Sequence, residues 1–209
     1  MKRFFYMTVL VVAVASVFVS CKDSYDDTIV NLKIAITGEL NARAAYLAFA
    51  DKAAEEDYKH IANMFLAAAA AERIHAKSHN EILKKLGEPE YTPTLDTPTV
   101  NSTALNIKAA IDCEVMEFTM IYPGFIATAK KEKCQEAVES FTLANLAEES
   151  HEYFFSAANK EVLDDSSVPA VFFVCERCGG MFTISFSKCG ICQADTEKQY
   201  YIPLVFDAR

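Results

Sequence analysis

Between residues 27 and 163 apolar side chains recur every three or four positions, the spacing that lines one face of a helix, and they do so in four long runs. The first, from about Asp27 to Ala54, sets Ala35, Glu39, Ala42, Tyr46 and Phe49 on one stripe. The second, from about Asp57 to Leu86, is densest in helix-forming residues at Phe65–Ala71 and stops at Gly87 with Pro89 beyond. From Glu88 to Asn101 the pattern lapses, and Pro89, Pro93 and Pro98 among threonines mark a long crossover. Ser102 or Thr103 is placed to cap a third helix reaching about Lys131, and Pro123 within it predicts a kink. The fourth run, about Glu132 to Leu163, aligns Phe141, Glu148, His151 and Phe155. Asp164–Pro169 then breaks the period as a linker. Short β-type runs at Val171–Val174 and Tyr200–Phe206 announce a smaller, different unit.

The polar residues that interrupt the apolar stripes carry the chemistry. Glu72 and His75 lie one turn apart inside the alanine-rich second helix, where an unpaired charge would be very costly. The fourth helix repeats the arrangement at Glu148 and His151. Two Glu-x-x-His helices, with a glutamate from each of two others, form the inward ligand set of a carboxylate-bridged di-iron or di-manganese bundle. Glu39 on the first helix and Glu114 on the third supply the remaining pair, and Glu117 shares the face of Glu114. The long second-to-third connection fits the ferritin-like wiring of such a bundle. Solvated glutamates with two buried histidines would require all four helices to coincide by chance. Tyr46 shares the stripe of Glu39, whereas ideal geometry turns Tyr122 about 80° away from Glu114 unless the kink re-aims it. His60 and His79 match no motif and read as surface residues.

Four of the seven cysteines stand in two pairs, Cys175-x-x-Cys178 and Cys189-x-x-Cys192, with ten residues between them. Four thiolates so spaced suit one tetrahedral iron or zinc, and a unit this small needs the metal to fold. Cys113 and Cys134 belong near opposite ends of antiparallel helices, roughly 20–30 Å apart and too far to bridge. With 209 residues, 52% of them apolar, the chain can bury one sizeable domain and a small one. A net charge of −9 without a basic stripe argues against nucleic-acid binding. At the start, Lys2 and Arg3 precede an uncharged run from Phe4 to Val19 and then Ser20-Cys21, the layout of a secretory signal. Phe18–Cys21 is similar to a lipoprotein processing site with Phe18 where leucine is usual, so Cys21 is expected to become a lipidated first residue. An uncleaved anchor and other signal types are the alternatives. Each places the folded part outside the cytoplasm, on the periplasmic or cell-surface side, and free thiols there suggest an anaerobic setting.

The ordered set Glu39, Tyr46, Glu72-x-x-His75, Glu114-x-x-Glu117, Tyr122-Pro123, Glu148-x-x-His151 and the two Cys-x-x-Cys knuckles resembles the rubrerythrin family over about Thr28 to Arg209. The resemblance implies a mainly α fold, a ferritin-like four-helix bundle over residues 22–164, followed by a small β-rich rubredoxin-like domain over 170–209, with 1–21 as the signal. It implies that Glu72 and Glu148 bridge two irons, that Glu39 binds the first with Glu117 or His75, and that Glu114 and His151 bind the second. Glu117 would replace His75 when that iron is oxidised, since a harder cation favours a carboxylate. Tyr46 and Tyr122 would hydrogen-bond near the centre. The implied activity is a non-haem peroxidase that reduces hydrogen peroxide to water in oxidative-stress defence. Electrons would come through one iron, or zinc in its place, at Cys175, Cys178, Cys189 and Cys192, and ultimately from a donor of reductase, rubredoxin or ferredoxin type. A homodimer is expected. Gly190 replaces a common proline and the knuckle spacing is short, which leaves iron or zinc open. The rival readings are a ferroxidase-like iron store with a structural zinc ribbon, a manganese catalase-like centre and a metal-free adaptor.

Overall fold

The computed structural model describes residues 25–159, 163–195 and 199–203. The expected signal segment and Cys21 lie outside the described residues, as does the end of the Tyr200–Phe206 run. Helix α1 spans Asp26–Glu55 and α2 spans Lys59–Lys85. Asp57 turns the chain between them in the left-handed region at φ 67°. After the extended crossover, a third rod runs through α3 (Thr103–Met116), a π-helical segment (Glu117–Ile121) and α4 (Tyr122–Lys131). Helix α5 spans Gln135–Ala158 and so ends five residues before the Leu163 expected from periodicity. The result is a four-helix bundle followed by a small sheet.

The helix ends are tied by side chains from distant elements. Ser102 makes no capping hydrogen bond, contrary to expectation. The N–H of Thr103 donates instead to the Glu56 carboxylate at 3.0 Å, across the bundle end. Glu132 accepts from the N–H groups of Asp27 and Thr28 at the start of α1. Asp165 accepts from His60 and Ile61 at the start of α2. Because the first N–H groups of a helix have no partner inside it, each such carboxylate both caps and staples.

Pro123 acts through a π segment. It stands at the first turn of α4, where its missing N–H costs no hydrogen bond, and the wide turn immediately before it absorbs one extra residue. Eight residues from Glu114 to Tyr122 therefore behave as about seven, two turns, which brings both to one face instead of ~80° apart. Two packed clusters flank the middle of the bundle. Tyr46, Phe49, Phe65 and Phe155 fill one, and Ile36, Leu83, Tyr122 and Phe141 fill the other. Each fully buried aromatic ring contributes ~1.5–3 kcal/mol.

Strands β1 (Phe172–Cys175), β2 (Met181–Phe182) and β3 (Gln199–Ile202) form an antiparallel sheet in the order β2-β1-β3. Phe172, Val174 and Met181 point into the first bundle cluster. Asn63 of α2 donates to the carbonyls of Ala170 and Ile202. The expected linker is thus a short 3-10 turn (Asp165–Ser167) bound to α2, and the small unit seats on the bundle of its own chain. Among the described residues no helix is long and apolar enough to cross a membrane.

Candidate metal centre

Each rod of the bundle brings acidic or imidazole groups to its middle, where Glu39, Glu72, His75, Glu114, Glu117, Glu148 and His151 are all buried. Ligand atoms of Glu39, Glu72, His75 and Glu148 lie within 4.8 Å of one another, and so do those of Glu72, Glu114, Glu148 and His151. Glu72 and Glu148 belong to both sets, which is the placement a bridging carboxylate needs. Glu117 belongs to neither. Its buried Oε2 has no hydrogen-bond partner, and its Oε1 lies 3.8 Å from where a Cβ on Gly38 would stand. The structure therefore groups His75, rather than Glu117, with the first set.

The small unit fixes both imidazoles. His75 Nε2 lies 2.8 Å from the Cys178 carbonyl and His151 Nε2 3.2 Å from the Gly179 carbonyl. A carbonyl can only accept, so each Nε2 carries the hydrogen and each Nδ1 faces the carboxylates. His75 Nδ1 is 2.9 Å from Glu148 Oε1 and 3.1 Å from Glu72 Oε2; His151 Nδ1 is 2.7 Å from Glu148 Oε2. Gly179 sits at φ 76°, and a Cβ there would fall 2.2 Å from His75 Nε2. Only glycine permits this approach.

Two tyrosines brace the carboxylates from outside. Tyr46 donates to Glu114 Oε1, and Tyr122 donates to Glu39 Oε1. The π segment is what aims Tyr122. The remaining oxygens, among them Glu39 Oε2, Glu72 Oε1, Glu114 Oε2 and both oxygens of Glu148, are buried and meet no donor other than the two imidazole Nδ1 atoms against them. Orphaned acceptors converging on two points are what a pair of cations would satisfy, so this donor set fits a di-metal centre. Without cations the charges are relieved by protons. Burial and the facing carboxylates raise Glu39 and Glu117, and push Glu114 up to about 8. Burial would lower His75 and His151, but the carboxylates against them, Glu148 foremost, raise both.

The second site lies in the small unit. Cys175, Cys178, Cys189 and Cys192 bring their sulfurs within 4.8 Å of one another, with Cys175–Cys192 and Cys178–Cys189 both at 3.7 Å. A tetrahedron with metal–sulfur bonds of ~2.3 Å has edges of ~3.8 Å, so the four thiols fit one tetrahedral ion. Cys178 donates to Cys175, holding that thiol down to about 5. Cys113 and Cys134 are free.

Sequence reasoning misplaced one residue of consequence. His79 is fully buried, with Nδ1 2.9 Å from Ser140 Oγ and Nε2 3.1 Å from the Tyr122 hydroxyl. It follows His75 by four and Glu72 by seven residues, the spacing of the inward stripe, and that spacing was the signal for it. His60 is half-buried, its Nδ1 2.8 Å from the Val168 carbonyl. The carbonyls of Cys178 and Gly179 had no signature in the sequence.

Comparison with known proteins agrees with this geometry. The rubrerythrin family profile matches residues 30–159. Nigerythrin of Nitratidesulfovibrio vulgaris is 38% identical over 82% of this chain and 84% of its own length. Rubrerythrin of Porphyromonas gingivalis is 33% identical over 82% of this chain and 86% of its own. A solved structure of nigerythrin in its fully reduced, all-ferrous state superposes with a TM-score of 0.76 at 37% identity, covering 83% of this chain and 86% of that one.

Proposed function

The chain belongs to the rubrerythrin family, and on that premise we propose that it is a di-iron peroxidase that reduces hydrogen peroxide to two waters, taking up two protons and two electrons. Glu39, Glu72, His75 and Glu148 would hold one iron and Glu72, Glu114, Glu148 and His151 the other, with Glu117 the alternative to His75. When bound as a ferrous pair, the metals supply both electrons and the Lewis acidity that polarises the substrate.

The protein's own part is positioning and proton handling. Tyr46 and Tyr122 fix the outer oxygens of Glu114 and Glu39, which leaves the inner ones facing the centre. In the metal-free centre burial and Glu39 raise Glu117, so its unpartnered Oε2 is placed to hold a proton until a cation takes that place. The flanking aromatic clusters keep bulk water away.

One observation carries the reading: the two histidines of the ligand set, His75 and His151, donate to backbone carbonyls of the first cysteine knuckle, at 2.8 and 3.2 Å. The bonds Cys178 Sγ–Cβ–Cα–C=O and the hydrogen bond to His75 join the four-cysteine site, which would hold the electron-carrying iron, to the bundle by a short continuous path. A peroxidase needs that port and an iron store does not. The storage reading, with zinc at the cysteines, keeps its place because sulfurs 3.7 Å apart suit zinc equally well.

Anaerobic purification with metal analysis, followed by rapid mixing of the reduced protein with peroxide, tests the proposal. Three irons per chain and one peroxide consumed per di-iron site are expected. Zinc at the cysteines, together with oxygen-driven uptake of many irons, would replace the peroxidase with the store.

A further inference from the structure

Beyond the metal ligands, a line of hydrogen-bonded side chains leaves the centre and ends at a surface cleft. Tyr122 donates to Glu39 Oε1. The Tyr122 oxygen lies 3.1 Å from His79 Nε2, His79 Nδ1 lies 2.9 Å from Ser140 Oγ, and Ser140 Oγ lies 3.0 Å from Ser78 Oγ. Ser78 and Ser140 line a cleft of about 590 Å³ between α2, α5 and the cysteine unit, together with Lys77, Glu81 and Glu139. His79 itself is fully buried.

The direction of every bond follows from one of them. Because the Tyr122 proton is given to Glu39, its oxygen accepts from His79, so Nε2 carries the imidazole hydrogen. Burial, together with the nearby His75, lowers His79 to about 3, and a neutral ring then leaves Nδ1 as an acceptor. Ser140 must donate to Nδ1, and Ser78 to Ser140. All four donors therefore point from the cleft toward Glu39.

We propose that Ser78, Ser140, His79 and Tyr122 form a proton conduit that delivers protons from the cleft to Glu39 at the metal centre. One proton enters at Ser78 Oγ from an acid in the cleft, each group passes on its own proton, and one proton arrives at Glu39 Oε1. His79 gains a hydrogen at Nδ1 and loses one at Nε2, so no member keeps a charge. Rotation of the hydroxyls and return of the Nε2 tautomer reset the line. The other tyrosine has a different environment: Tyr46 is ringed by Phe49, Phe65 and Phe155. The purpose of the conduit rests on the peroxidase reading, whose reaction consumes two protons, but its geometry does not.

Two readouts test it on the full chain. In protein loaded with zinc, nitrogen-detected NMR follows exchange of the His79 Nε2 proton with solvent. In reduced iron-loaded protein, rapid mixing follows a single peroxide turnover. Ser140→Ala should slow both by about tenfold or more, with metal content unchanged, and Ser140→Thr should restore both. His79→Gly should be slow and regain rate with added imidazole. An exchange rate or a turnover rate in Ser140→Ala equal to that of the parent overturns the conduit. If the parent protein fails to reduce peroxide, the peroxidase reading falls, and the exchange measurement alone decides the conduit.

Discussion

Glu114 has exchanged the solvation of water for a site where protons and cations compete for its oxygens. Burial and the facing Glu148 and Glu72 push it to about 8, so at neutral pH a metal must displace a proton from it. Metal affinity should therefore rise with pH up to that value, and loading should release more protons at pH 7 than at pH 9, which titration calorimetry in two buffers would measure. The stability of the metal-free chain should move the other way. A carboxyl whose folded pKa lies above its unfolded one is deprotonated first in the unfolded chain, so stability falls as pH climbs from ~4.5 to 8. The raised His75 and His151 add to the loss above ~6.5. Melting curves of metal-free and loaded protein should diverge across that window, and parallel curves would sink the argument. At Gly179, a Cβ would strike His75 Nε2, and a left-handed φ costs any other residue ~1–2 kcal/mol. Gly179→Ala is thus expected to lower the melting temperature and to slow re-reduction of the oxidised centre at least tenfold, while peroxide consumption by pre-reduced protein survives. Single residues of this kind differed in how readable they were. Glu72, His75, Glu148 and His151 declare themselves because charge on an apolar stripe is anomalous. His79 reads as a surface residue because it belongs to no tetrapeptide, although its spacing sets it on the same buried face. Gly179 was opaque, since its role depends on a ring more than a hundred positions away.

At the level of elements, hydrophobic period fixed the four rods to within a few residues, and the proline-rich crossover was plain. The third rod shows why period alone is insufficient. A straight α-helix cannot present both Glu114 and Tyr122 inward, and a single proline suggested a bend. The chain instead inserts one residue as a π turn over Glu117–Ile121, which keeps the rod's two halves in phase. Such an insertion is invisible without the three-dimensional partner, Glu39, that rewards it. The consequence is specific. Deleting Met120, an exposed residue of that turn, should convert it to regular α-helix and leave Tyr122 facing Glu39. The same deletion at Lys108, in regular α3, should rotate the preceding turns by ~100° and strip Ile107 from the core. Circular dichroism and melting of the two variants would separate them: near-parental behaviour for the first, a large loss for the second. Equal damage from both would mean that the π turn is not a phase-keeping insertion. The cysteine knuckles were legible by spacing, whereas the capping of α2 by Asp165 was not, because caps supplied from another element leave no local signature.

For the molecule as a whole, the decisive relation is between the two metal sites. Composition and motif order could say that a bundle and a four-cysteine unit were present, but six linker residues allow the unit to serve either its own bundle or a partner's. The described chain seats it on its own bundle through Asn63, Asp165, His75 and His151, with Phe172 and Val174 buried in the shared core. On the proposed peroxidase reading, that arrangement would make electron delivery an intramolecular event. Two defective variants distinguish it from delivery between subunits: Glu72→Ala, which loses a carboxylate common to both metal positions, and Cys189→Ser, which removes a thiolate. Cys189→Ser alone should still consume one equivalent of peroxide after chemical reduction yet fail to cycle with a reductase-type donor. Unfolded together and refolded as a mixture, the two chains should regain no cycling above the sum of the parts, because neither holds a working bundle and a working knuckle in one chain. Recovery of about a quarter of the parental rate, the share set by random pairing when one mixed dimer has one intact pathway, would instead show that each knuckle reaches across to its partner. In that case the hydrogen bonds to His75 and His151 would persist, with the donor and acceptor drawn from different chains.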